Sequence, residues 1–321
     1  MTIEQIYKLA IKMGIGADLR GEKQIRGQLK KINERYKKLS PEKKEKFDEE
    51  KLTNPYSDTR FLAGNATQEV KRMMVGIDID TAELLMARYL GDQYERKIDL
   101  VISHHPLGIA LADLSSVMHM QADILNRHGV PINIAEAVMK PRISEVARGM
   151  LPINHNIPVD AAKLLGLSLM CLHTVCDNLA VNFLDKKIKK DKPETLKELL
   201  KSLREIPEYK EAEKQKTGPK IFVGNSIARV GKIALTEMTG GTSGSKEIYQ
   251  SMANAGIGTI VGMHMKDEYR AEAEKAHVNV VIAGHISSDS LGMNLFLDEI
   301  EKKWIEIIPC SGLIRVKRFK K

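Results

Sequence analysis

Six side chains in three short motifs have the types and spacing to share one chemistry. The run S-H-H-P at residues 103–106 sets His104 and His105 side by side after an apolar stretch. H-T-V-C-D at 173–177 pairs His173 with Asp177, and G-H-I-S-S-D at 284–289 pairs His285 with Asp289. Imidazole nitrogen binds borderline transition metals, and a His and an acid four residues apart face the same way where the chain turns into a helix. Each pair can then offer one nitrogen and one oxygen to a common point. Six donors are too many for one tetrahedral ion. They suit two ions bridged by a carboxylate and a water, roughly 3.5–4 Å apart. Neighbouring residues on extended backbone point to opposite sides, so His104 and His105 can serve different ions. Mixed nitrogen and oxygen donors favour Zn, Fe, Mn, Co or Ni over Mg or Ca, without choosing among the five.

Other readings stand beside these. His173 serves as well as an outer partner that orients a ligand, and Asp289 as well as a helix cap after Ser287 and Ser288. His155 and His264 lie outside the three motifs and read as structural or peripheral. Cys176, inside the second motif, reads as a small buried hydrophobe. The G-G-T-S-G turn at 240–244 lacks the spacing of a full phosphate loop, yet its backbone N–H groups could meet an anion. Gly241, Thr242, Ser243 and Gly244, with His264, are therefore the substrate-binding candidates. Glu136, Glu237 and His264 are the candidates for general acid or base.

These donors need a scaffold that brings three distant segments together. From about residue 70 the sequence alternates strands and helices, the pattern of an α/β fold, and such folds gather their chemistry at the carboxyl ends of strands. A strand at 99–103 delivers His104 and His105, an apolar run from 169 delivers His173, and a β-branched run from 278 ends at Gly284, just before His285. Further strands are expected at 73–77, 131–135, 232–236 and 259–261. The expected organisation is a charged helical extension (1–65), a first α/β lobe (66–184), a charged helical insert (185–218) and a second α/β lobe (219–321).

Composition narrows the classes of partner. The formal net charge is +8, but residues 20–51 and 185–220 carry +5 and +4 of it and leave the remainder near neutral. Both stretches mix the two signs at helical spacing with few interleaved aromatics, which reads as solvated helix faces and argues against nucleic acid. Three cysteines, Cys171, Cys176 and Cys310, form no paired framework, so a reducing, cytoplasmic setting is expected. The first residues intersperse Glu and Lys among apolar positions, unlike a signal peptide, and no run of eighteen apolar residues could span a bilayer. A soluble protein with a small-molecule substrate follows as the expectation.

The three motifs, in this order, resemble the Nif-three-like family (NGG-one-interacting factor three), also catalogued as type 2 homologues of GTP cyclohydrolase I. The resemblance covers residues 70–184 and 219–321. It implies a two-lobed α/β fold with mixed sheets flanked by helices, a dinuclear metal site between the lobes, and a homo-oligomer in the form of a toroidal hexamer. Carried over by motif, His104, His105, Asp177, His285 and Asp289 would be ligands, with Asp177 as bridge and His173 at a further family position. Asp289 stands where the family carries Glu, one methylene longer. Two functions remain open on this reading. One is a hydrolase in which a metal-bridging water attacks a nucleotide, phosphate ester or related heterocycle; the other is a nonenzymatic metal-binding or scaffold protein.

Overall fold

In a computed structural model, which describes residues 1–94 and 96–319, two sheets carry the motifs to one place. In chain order the strands are β1 (Thr59–Ala63), β2 (Arg72–Gly76), β3 (Leu100–Ser103), β4 (Leu169–Leu172), β5 (Lys220–Val223), β6 (Lys232–Ala234), β7 (Ile257–Gly262), β8 (Asn279–Ile282) and β9 (Glu306–Cys310). The first sheet has the order β1-β4-β3-β2-β9, parallel throughout except for β1, which runs antiparallel to β4. The second has the order β5-β8-β7-β6, with β5 alone antiparallel. β3 and β4 are buried at every position, which is why they read as unbroken apolar runs rather than alternating ones. The expected two-lobed α/β architecture with mixed sheets and a helical N-terminus is the one the chain adopts.

The first helix, Ile3–Ala17, opens on a capping box in which Thr2 accepts from the Gln5 amide and the Gln5 side chain returns to Thr2. Ile3, Ile6 and Ala10 recur at helical spacing and are buried. They join one continuous core with Met73 and Val75 of β2 and with Ile260 and Val280 of the second sheet. Each buried Ile contributes about 1.5–3 kcal/mol. The N-terminal helix is thus packed into the body of the protein.

The charged insert also has an inner face. Helix Leu196–Arg204, opened by a Thr195–Glu198 capping box, buries Leu196, Leu199 and Leu203. Helix Pro207–Lys214 buries Tyr209, whose hydroxyl meets the Ser288 hydroxyl at 2.9 Å. Ser288 lies on helix His285–Glu301, so the insert braces the helix that carries the third motif. Most of its Lys and Glu residues cover the outer side, but Glu208 is buried and accepts from Asn294 Nδ2 at 2.7 Å and from Arg318 at 2.6 Å.

One expected element is different. Residues 131–135 do not form a strand but begin helix Ile132–Met150. The β-branched Ile132 and Ile134 are exposed, and the buried positions are Ala135, Met139 and Val146, spaced four and seven apart. Helical periodicity over the longer window outweighs the local β propensity. Among the described residues, no helix is long and apolar enough to cross a membrane.

Candidate metal centre

β3 and β4 pair in parallel with Ser103 opposite Cys171, so His104 and His173 leave neighbouring strand ends. Helix Thr174–Asp191 starts immediately and places Asp177 on its first turn. From the second sheet, β8 runs out through Ala283 to Gly284, whose φ of +108° is a conformation that favours glycine, and helix His285–Glu301 begins there. The helices that start after β4 and β8 pack against each other and bring Asp177 beside Asp289.

All six residues of the three motifs converge. His104 Nε2 lies 3.4 Å from Asp177 Oδ1 and 3.5 Å from Asp289 Oδ1. His105 Nε2 and His285 Nε2 lie 3.5 and 3.6 Å from Asp289 Oδ2, and His173 Nε2 lies 3.9 Å from Asp177 Oδ2. Among the described residues, His104 Nε2, Asp177 Oδ1 and both Asp289 carboxylate oxygens are buried with no hydrogen-bond partner. A buried polar atom left without a partner costs about 1–3 kcal/mol, more when charged, so four such atoms facing one another mark a place for a cation.

The outer nitrogens explain the orientation. His104 Nδ1 lies 3.1 Å from the Leu172 carbonyl, His105 Nδ1 2.6 Å from Asp78, and His173 Nδ1 2.8 Å from Asp58. These partners only accept, so each Nδ1–H donates and each Nε2 faces the centre, where the neutral ring has its lone pair for ligation. Three groups have ligand atoms within 4.8 Å of one another: His104, Asp177 and Asp289; His105, His285 and Asp289; and His104, His105 and His173. Asp289 is common to the first two. The resemblance gave the shared position to Asp177, whereas here Asp289 stands between the two sets of imidazoles. Asp58, Asp78 and the Leu172 carbonyl escaped the sequence reading. Asp78 had a usable signal, since it follows the end of β2; Asp58 had none.

The turn at 240–244 sits beside this cluster. Ser243 Oγ lies 3.2 Å from His264 Nδ1, and the exposed His264 ring is 4.8 Å from the His285 ring. Gln121 Nε2 donates to the Gly240 and Thr242 carbonyls at 2.7 Å each, and Arg142 Nε to the Ser243 carbonyl at 3.1 Å. The Tyr269 hydroxyl holds the Gly244 carbonyl, and the Gly244 amide donates to Glu237 at 3.2 Å. Burial pushes the Glu237 carboxyl up to about 7. Glu136 is exposed on helix Ile132–Met150, and the half-buried His155 bonds the Ile153 carbonyl, so neither joins the cluster. Cys176 is buried, as expected.

Burial alone would lower the His104 pKa, but the negative charge of Asp289, with the Asp177 carboxylate beside it, holds it well above its ordinary value. Burial would raise Asp289, but the imidazoles of His104, His105 and His285 hold it below the usual carboxylate range. The stability that His104 contributes is complete below its unfolded pKa of about 6.5 and is lost as pH rises through the raised folded value. The Asp289 contribution runs the other way, present above about pH 4 and lost as pH falls through the depressed folded value. In chelator, the melting temperature is therefore expected to fall from about pH 6.5 upward, with a slope of up to about 1.4 kcal/mol per pH unit for one proton. Added Zn(II) should oppose that fall, because a metal takes the neutral imidazole. Thermal melts across pH 6–9, with and without metal, check both signs.

Fold and site together define a two-lobed α/β protein with a buried His/Asp cluster able to hold metal. No family model and no curated protein matches the chain. Among solved structures it is similar to a NIF3 superfamily protein from Sphaerobacter thermophilus, at 27% identity and a TM-score of 0.72 over 80% of this chain and 92% of that one. Lower similarity is found to reduced HcgD from Methanocaldococcus jannaschii, at 14% identity and TM-score 0.46 over 78% and 88% of the two chains. TTHA1606 from Thermus thermophilus gives 14% and 0.45 over 83% and 92%. In fold and in its three motifs the chain is similar to the Nif-three-like (NIF3) family.

Proposed function

We propose that this protein is a dinuclear metal-dependent hydrolase acting on a nucleotide, phosphate ester or related heterocycle. The observation that carries the reading is Asp289, a fully buried carboxylate with one unpartnered oxygen toward His104 and the other toward His105 and His285. His104, Asp177 and Asp289 would hold one divalent ion, and His105, His285 and Asp289 the other, with His173, beside Asp177, as a further donor toward the first. Such a pair of ions supplies Lewis-acid activation of water and charge neutralisation on the substrate. The protein's own part is to fix the donors, through Leu172, Asp78 and Asp58, and to keep the inner carboxylates out of bulk water.

The turn at 240–244 serves as the substrate cradle on this reading. With the carbonyls of Gly240, Thr242, Ser243 and Gly244 taken by side chains and the Gly244 amide given to Glu237, the turn's other amides and the Thr242 and Ser243 hydroxyls are what it has to offer an anion. His264 is the acid or base candidate closest to the imidazole cluster, beside His285. Exposed Leu85, Tyr89 and Leu164 on the first lobe support a homo-oligomer, the hexameric ring that the resemblance implies. Three free thiols fit a reducing compartment such as the cytoplasm.

Metal content per chain, measured by mass spectrometry on protein purified without a metal-affinity tag, tests the reading. About two transition-metal ions are expected in the wild type, with His104→Ala and His285→Ala each losing metal while remaining folded. A wild type that stays metal-free in excess Zn, Mn, Fe, Co and Ni would end the metal hypothesis. Two ions without turnover of any nucleotide or phosphodiester would leave the nonenzymatic metal-binding or scaffold function in its place.

A further inference from the structure

We propose that Asp58, on the loop entering β1, is the positioning residue that makes His173 a metal ligand, so that the N-terminal segment completes a site otherwise built from the three motifs. The inference rests on the metal reading above. β1 pairs antiparallel with β4, Thr59 opposite Leu172, and this register sets Asp58 against His173 across the strand ends. Asp58 is fully buried. Its Oδ2 accepts from His173 Nδ1 at 2.8 Å and from the Thr174 hydroxyl at 2.6 Å, and the His173 amide donates to Thr59 Oγ1 at 3.2 Å. Ring, backbone and next side chain are thereby held by two consecutive residues of one loop.

The chemical consequence is a choice of tautomer. A carboxylate on Nδ1 keeps the proton there and leaves the Nε2 lone pair toward Asp177 and the His104 ring, 5.0 Å away between centroids. The negative charge also makes the imidazole a better donor. Asp58 Oδ1 has no hydrogen-bond partner among the described residues. A carboxylate recruited only to anchor the loop would be served by two satisfied oxygens. This one is held with one oxygen bare, and its other oxygen serves the imidazole.

Zn(II) affinity by chelator competition and the Co(II) absorption spectrum test the proposal. Asp58→Asn keeps an acceptor but removes the charge, and is expected to weaken Zn(II) binding about 10–100-fold and to shift the Co(II) bands. Thr174→Val, which removes the other donor to the same carboxylate, should stay within a few-fold of wild type. In a His173→Ala background, Asp58→Asn should add little, because its effect passes through that ring. Wild-type affinity and spectrum in Asp58→Asn, or an equal further loss in the His173→Ala background, would overturn the proposal. Should Asp58→Asn fail to fold, imidazole ¹⁵N spectra of the Zn-loaded wild type decide: a proton on His173 Nδ1 supports it and a proton on Nε2 overturns it. A wild type that binds neither Zn(II) nor Co(II) would instead bring down the metal reading itself.

Discussion

Replacing Gly292 with alanine is expected to destabilise the protein by about 3 kcal/mol and to lower its metal capacity in the same step. A Cβ at this position would overlap the backbone carbonyl of Cys176, with the carbonyl carbon only 2.7 Å away, and would also crowd the Ala180 side chain at 3.4 Å. Cys176 precedes Asp177 on its helix, and Gly292 lies three residues beyond Asp289 on the other. The contact is therefore the pivot that sets the distance between the two carboxylates. Alanine is the better helix former by about 0.8–1.0 kcal/mol, but that gain is smaller than the cost of forcing two backbones apart. Gly27, inside helix Glu22–Lys37 with nothing within 4 Å of its missing Cβ, isolates the propensity term. Gly27→Ala should stabilise by up to about 1 kcal/mol and leave metal binding unchanged. Urea unfolding in chelator and metal content of the two variants make the comparison. Equal stabilisation by both substitutions would show that the helices can separate freely.

The motifs of the His/Asp cluster were legible because a site able to bind metal demands particular residue types, and an α/β chain leaves them directly after apolar runs. His104, His173 and His285 each follow a strand by one to three residues, so period and chemistry point to the same places. The partners that orient those imidazoles were not legible. Asp58 is 115 residues from His173, and only the antiparallel register of β1 on β4 joins them. β9 was missed because Pro309 argues against a strand, and the structure resolves the conflict by putting β9 at the sheet edge, where a missing donor is tolerated. Residues 131–135 misled through local β-branching. The charged insert hid its role because a bracing helix and a solvated one differ only on their inner face, here Leu199, Leu203 and Tyr209. Which carboxylate is shared between the imidazole sets is a matter of distances, and no spacing rule could have preferred Asp289 to Asp177.

Asp289→Ala should abolish high-affinity binding of both ions, whereas Asp177→Ala should spare the one held by His105 and His285. Asp289 belongs to both donor groups, and its two oxygens divide between them. Removing an outer-shell partner of a ligand typically costs 10–100-fold in affinity, so loss of a shared ligand is expected to exceed about 100-fold at each site. In the metal-free state the same substitution acts through His104, whose proton Asp289 helps to hold. At pH 6 the variant in chelator should melt below wild type, because that favourable pair is gone. As pH rises and wild-type His104 releases its proton, the gap should narrow, since wild type is then left with a buried carboxylate short of its counter-charge. With saturating Zn(II) the order is unambiguous: wild type gains RT ln(1 + [L]/Kd) from the metal, and the variant gains almost nothing. Asp289→Glu separates ligand chemistry from side-chain length, because it keeps the carboxylate and adds the one methylene that the resemblance implies at this position. Zn(II) titrations of the two variants decide: two ions retained with Glu and none with Ala assign the bridge to this carboxylate, and two tight ions with Ala would assign it elsewhere.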